Sequence, residues 1–147
     1  MALFSRRLFT RAQETWSSLN DAMRQYYFNP RFTADILSGK KTMTIRRVWK
    51  KPVRKGERLC LHVDVPSRGE TIAIKAYCSD AFPVQVSNES ITVRKRKLGR
   101  SEIPSFLRND GFRSFSDMIS FFEHRYSLPF SGQCICWNVE RHSRSKR

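Results

Sequence analysis

Between Gly39 and Arg46 the chain reads GKKTMTIR, which sets an amine, Lys41, three residues from a hydroxyl, Thr44. A second hydroxyl, Thr42, and a guanidinium, Arg46, stand beside them. Such groups suit two kinds of chemistry. An amine and a guanidinium together attract an anion such as a phosphate. A Thr hydroxyl becomes nucleophilic only when a base takes its proton, and a lysine is that base only where burial or nearby cations depress its pKa. Lys40 and Arg46 are such cations. The plain structural reading stays open beside this one. In it Lys41 contacts phosphate, Thr42 and Thr44 are β-branched strand residues, and Arg46 pairs with an acid such as Asp35 or Asp110.

The elements that position these groups are legible on both sides. Asn29 is a plausible N-cap, Pro30 takes the first helical position, Phe32, Ile36 and Leu37 form an apolar stripe, and Gly39 ends the helix. TMTIR then alternates, so Thr42, Thr44 and Arg46 share one strand face and Met43 and Ile45 the other, core-facing one. Lys41 and Thr44 would point opposite ways on a continuous strand. Lys41 therefore belongs in the turn that Gly39 makes possible.

Downstream, LCLHVDV and TIAIKAYCSDAFPVQV read as strands joined by a turn at Pro66 to Gly69. ITVRKRKLGR adds a strand ending in the basic cluster Arg94 to Arg100, followed by a helix opened by Ser101 with Pro104 in its first turn. A second helix has Ser114 as N-cap, Asp117 at the capping-box position and a stripe of Phe115, Met118, Ile119 and Phe122. A turn from Pro129 to Gly132 leads to a last strand, Gln133 to Glu140.

With 147 residues, eleven Phe and three Trp, one domain with a sizeable core is expected. Lys and Arg number 28 against 13 Asp and Glu, a formal charge of +15. That balance points to a polyanionic partner, nucleic acid before a merely solvated basic surface. Eight of the cations and no acid lie between Lys40 and Lys55, around Trp49. A basic loop carrying an aromatic can track phosphates and stack a base. Lys40, Arg47, Trp49, Lys50, Lys51 and Arg54 are its candidates, with Arg94, Lys95, Arg96 and Lys97 as a second cluster.

Cys60, Cys78, Cys134 and Cys136 form no C-x-x-C, and His62, His124 and His142 stand at no metal-ligand spacing. Neither a metal nor a cofactor is expected; four reduced, buried thiols fit a cytoplasmic protein. No run approaches the roughly 18 apolar residues that span a bilayer. The first residues, MALFSRRLFTRAQETW, are Arg-rich without an acid before Glu14, as in an organellar transit peptide. An upstream start is another reading, because Met23 stands just before the organised pattern. The expectation is an appended helix, roughly Ala12 to Tyr26, within an extension of residues 1–27. A basic tail, residues 141–147, closes the chain.

Four segments, FNPRF..DILSGKKTMTIR, VRKGERLCLHV, DGFRSFSDM and LPFSGQCICWNVE, resemble in order the ASCH domain over residues 28–140. The resemblance implies an α+β fold, a small PUA-like β-barrel flanked by short helices. Within that family the chain looks most like small bacterial N4-acetylcytidine amidohydrolases, which carry the same G-x-K-x-x-T-x-R arrangement. It implies Lys41 as base, Thr44 as nucleophile and a downstream acid as proton donor, with Thr42 and Arg46 near the substrate. The family's acid is Glu; the positional candidate here is Asp110, one methylene shorter. Two functions are thus expected as alternatives. One is deacylation of a modified nucleoside. The other is a non-catalytic module for single-stranded RNA, or a ribonuclease, with the basic clusters on phosphates.

Overall fold

A computed structural model describes residues 23–140, and the architecture is mixed α+β: seven strands and a few short helices. The strands are β1 (Met23–Tyr27), β2 (Met43–Arg46), β3 (Arg58–Val65), β4 (Glu70–Val86), β5 (Ile91–Val93), β6 (Arg96–Lys97) and β7 (Phe130–Val139). The helices are α1 (Thr33–Ser38), α2 (Ile103–Asn109) and α3 (Phe115–Arg125). Pairing runs β1-β3-β4-β5-β6, with β7 also on β4 and β2 on β7. Among the described residues no ladder closes the sheet.

Strand β4 is the backbone of the sheet, because its 17 residues pair with β3 at one end and β5 at the other, while β7 runs along it. A register shift between Cys78 and Asp80 bends it. In β3 the alternate residues Leu59, Leu61 and Val63 each have 0% exposure, and Cys60 on the other face is buried as well. Each such side chain contributes about 1.5–3 kcal/mol of burial. Met43 and Ile45 of β2 enter the same core, as their alternation predicts.

The N-terminal expectation needs correction. Residues 23–27 are strand β1, paired parallel to β3 from Met23↔Arg58 to Tyr27↔His62, and not the end of a helix. Among the described residues the sheet therefore starts at Met23, five residues before Phe28. MRQYY has no strong periodicity, and the open edge of β3 decides its conformation. The remainder of the expected helix, residues 12–22, and the tail, residues 141–147, lie outside the described residues.

Local signals around the site hold. Asn29 Oδ1 accepts the Arg31 N–H at 2.9 Å and caps a 3-10 turn, Pro30–Phe32, that leads into α1. Gly39 ends α1 with a left-handed φ of 86°. Phe32 and Ile36 are buried but Leu37 is exposed, so the stripe on this helix is narrower than predicted. Ser114 caps α3 by accepting the Asp117 N–H, as expected. Ser101 does not cap α2; Glu102 stands at that position.

The basic loop between β2 and β3 is anchored rather than loose. The side-chain amide of buried Gln133 pairs with both backbone groups of Val53, at 2.9 and 2.8 Å, as a strand neighbour would. Arg24 of β1 donates to the carbonyls of Lys51 and Pro52. No helix among the described residues is long and apolar enough to cross a membrane.

Candidate functional site

The segment Lys41–Thr42 is clamped from two sides before it becomes strand. The Lys41 N–H donates to Asp35 O of α1 and the Thr42 N–H to Asn109 O of α2, both at 2.9 Å. These two bonds bring the end of α2, and with it Asp110, over the start of β2. Lys41 is thereby turned inward.

Lys41 is 2% exposed and Asp110 2%. Lys41 Nζ donates to Asp110 Oδ1 at 2.9 Å, to Asp110 O at 2.6 Å and to Met43 O at 2.7 Å. Three acceptors match the three protons of an ammonium, an arrangement that suits the ionised pair. The Phe32 ring centre lies 4.6 Å from Nζ, completing the enclosure. Burial pushes the Lys41 pKa down, opposed by the Asp110 carboxylate. The same burial pushes the Asp110 pKa up, opposed by Lys41. Both shifts favour the neutral pair and so narrow the cost of moving one proton between the partners. A buried lysine so occupied is not a surface phosphate contact, which removes that plain reading of Lys41.

Thr44, also buried, accepts from Arg46 Nε at 3.0 Å. Arg46 then reaches Tyr27 O with its terminal nitrogen at 2.9 Å, spanning from β2 to the end of β1. Its guanidinium lies 4.9 Å from the Phe28 ring centre and 5.3 Å from that of Tyr26. Arg46 forms no ion pair with Asp35 or Asp110; the buried partner of Asp110 is Lys41.

Lys41, Thr44, Arg46 and Asp110 line one cavity with aromatic walls that include Phe32 and Tyr126. Thr42, expected beside the substrate, does not line it; its carbonyl accepts the Trp137 N–H instead. The cavity holds about 30 Å³, room for about one water. Ligand pockets are roughly ten times larger. A nucleobase therefore enters only if side chains at the rim move. Two residues of its lining reach solvent: Arg125 is exposed and Tyr126 half-buried.

The nucleic-acid candidates divide. Trp49 is 75% exposed, with Arg47, Lys50, Lys51 and Arg54 exposed around it. Arg47 also lies against the Tyr126 and Phe130 rings, at 5.5 and 5.9 Å. Lys40 faces away from Lys41 and lines a separate open groove. In the second cluster Arg94 is paired with Asp80 and Arg96 binds Glu102 through two bonds of 2.8 and 2.7 Å. That hydrogen bonding holds the Glu102 pKa down to about 2. Arg94 and Lys95, both with positive φ, form the turn between β5 and β6. Half of this cluster is thus locally neutralised, and Lys95 and Lys97 stay exposed.

Sequence reasoning missed Arg31, Arg108, Arg113 and Arg125. Arg108 and Arg113 flank Asp110 in LRNDGFR, and that spacing was the available signal. Arg31 lies over three rings, Phe32, Phe112 and Phe121, and binds Asp117 at 2.6 Å. The thiols are free; Cys60, Cys78 and Cys134 are buried, and Cys136 is half-buried rather than buried as expected. Among the described residues no group of His, Cys, Asp and Glu is arranged to hold a metal ion.

No protein-family model matches this chain, and no curated protein matches it. Among solved structures it is similar to protein EF3133 from Enterococcus faecalis V583, described under the family model DUF984. The TM-score is 0.53 at 15% identity, over 91% of this chain and 97% of that chain. At that identity the likeness concerns the fold alone.

Proposed function

We propose that this chain is an amidohydrolase of the ASCH type that removes the acyl group from the exocyclic amine of N4-acetylcytidine. The observation that carries the reading is the buried Lys41–Asp110 pair, 2.9 Å apart, opening on the same cavity as the Thr44 hydroxyl. The PUA-like barrel is part of the proposal. Its support is the Arg46 side chain, which joins the edge strands β1 and β2 where no ladder does.

In this reading the Lys41 ammonium first passes a proton to the Asp110 carboxylate, an internal transfer that leaves an amine and a carboxylic acid. The amine takes the Thr44 hydroxyl proton as Oγ1 attacks the acetyl carbon. Guanidinium protons of Arg46 face the oxygen that gains charge. Asp110 gives its proton to the departing cytidine nitrogen as the C–N bond breaks, leaving acetyl-Thr44 and the pair ionised again. A second proton transfer within the pair lets Lys41 deprotonate water, which attacks the ester; Asp110 reprotonates Thr44, acetic acid leaves and the pair is ionised again. The sum is amide plus water to amine plus acetic acid.

A second reading, RNA binding without catalysis, is favoured by the exposed Trp49 ringed by cations. Three buried, unpaired thiols support a cytoplasmic place for either function. The deciding experiment incubates the purified protein with N4-acetylcytidine and follows release of cytidine. Turnover that disappears in Thr44→Ala supports the hydrolase. Its absence at high enzyme concentration leaves the binding module.

A further inference from the structure

The cavity does not end in a smooth surface. It shares Asn29, Phe121 and Arg125 with an open groove of about 550 Å³ that also contains Arg31 and Asp117. Arg31 and Asp117 in turn line a further groove of about 720 Å³, which reaches Lys40, Arg108 and Arg113. The cavity adjoins the first groove, which runs along α3, and the first groove adjoins the second, which reaches α1 and the end of α2, each through these shared residues; together they make a stepped depression.

Its charge is one-sided. Five cations, Arg31, Lys40, Arg108, Arg113 and Arg125, line it against two acids, Asp35 and Asp117. Among the described residues Lys40, Arg108, Arg113 and Arg125 form no salt bridge, unlike Arg94 and Arg96. Asp117 is already engaged by Arg31 and by the Arg113 N–H, so it offers little repulsion to an incoming anion. Arg31 lies 5.1, 5.2 and 5.6 Å from the centres of three rings, which holds it in place, and its charge is already paired with Asp117, so the free cations of the path are Lys40, Arg108, Arg113 and Arg125.

We propose that this depression is a phosphate track for a single-stranded polynucleotide, and that the base presented to the cavity is part of that strand rather than a free nucleoside. A free nucleoside has no phosphate to use such a path. The track itself stands on the groove and its charges; the presentation of a base to Thr44 rests on the amidohydrolase reading. The track is distinct from the Trp49 loop, and it commits the strand to the α1–α2 side of the cavity.

The test reads fluorescence anisotropy of a fluorescein-labelled oligocytidylate of about twelve nucleotides, as RNA and as DNA. The full chain is compared with two triple variants, Lys40→Ala/Arg108→Ala/Arg113→Ala in the groove and Arg47→Ala/Lys50→Ala/Lys51→Ala in the loop. Salt is varied between about 50 and 200 mM. Loss of three phosphate contacts should make the log–log salt slope shallower by about two and weaken low-salt binding about tenfold or more. That result in the groove variant, with the smaller change in the loop variant, is expected, and the DNA strand shows whether the sugar matters. Wild-type affinity and slope in the groove variant, or no binding by the wild-type chain, overturns the track. Thermal melts verify folding; if the triple variant is unfolded, Arg108→Glu and Arg113→Glu singly read the same slope. Failure to hydrolyse N4-acetylcytidine sinks the reaction above and not the track, because anisotropy reads binding alone.

Discussion

Lys41 Nζ and Asp110 Oδ1 meet 2.9 Å apart across 69 residues of chain, with both side chains almost fully removed from solvent. Arg46 lines the same cavity, and its charge favours the Asp110 carboxylate but forms no ion pair with it. The cost of burying each ion is repaid by the other and by two backbone carbonyls.

Asp110→Asn removes the counter-charge and leaves a buried ammonium, which should destabilise the fold by about 3–5 kcal/mol in urea titrations. Adding Lys41→Met should recover only part of that loss. The carbonyls of Met43 and Asp110 then lack a donor, at about 1–3 kcal/mol each. A double variant as stable as wild type would mean the pair is not holding this end of α2.

Thr44→Ala should lower N4-acetylcytidine turnover below about a thousandth of the wild-type rate, while affinity stays within a few fold, since a nucleophile acts mainly in the transition state. Asp110→Glu should not improve the rate. The shorter acid already reaches Nζ, and an added methylene overpacks a buried position by about 1–3 kcal/mol. Faster turnover in Asp110→Glu would place the acid wrongly.

Arg46→Lys keeps the charge but loses the planar fork that serves Thr44 Oγ1 and Tyr27 O together. Turnover should fall about tenfold or more through misplacement of Thr44. Stability should fall by about 1–2 kcal/mol. An unchanged kcat/KM and melting curve would refute this bridging role.

Gly111 has φ of 87°, and a Cβ there would stand 2.9 Å from the Phe32 ring and 3.0 Å from Lys41 Cδ. Gly111→Ala should cost about 2–4 kcal/mol, from backbone strain and crowding together. Gly39→Ala is the comparison, because its φ is 86° with nothing within 4 Å. Strain alone there predicts about 1–2 kcal/mol. Equal losses at the two glycines would count against the packing argument.

Tyr26, beside Arg46, has its pKa raised from 10.0 to about 12, chiefly by burial. A raised folded-state value means the neutral phenol contributes stability that is complete below pH 10. That contribution is lost as pH climbs from 10 toward 12. Absorbance titration of tyrosinate should show one late-titrating group that Tyr26→Phe removes, together with a smaller alkaline loss of stability. A titration curve identical in the variant would contradict the assignment.

The residue pattern by itself determined the local geometry of the site. Asn29 and Pro30 open the 3-10 turn that leads into α1, Gly39 ends that helix, and TMTIR sends Met43 and Ile45 to the core, because caps and alternation depend on neighbours a few positions away. The resemblance singled out Asp110 and could not say which cation it would meet; plain pairing also allowed Arg46. Only the packing of α2 over the start of β2 chose Lys41. Packing also made MRQYY a strand, since the open edge of β3 supplied hydrogen bonds that no local helix signal outweighed. It split the basic residues in the same way: Asp80 and Glu102 fold onto Arg94 and Arg96, while Arg108 and Arg113 are left facing the groove. Charge counts along a chain are additive, but which charges remain unpaired depends on which elements come together in space.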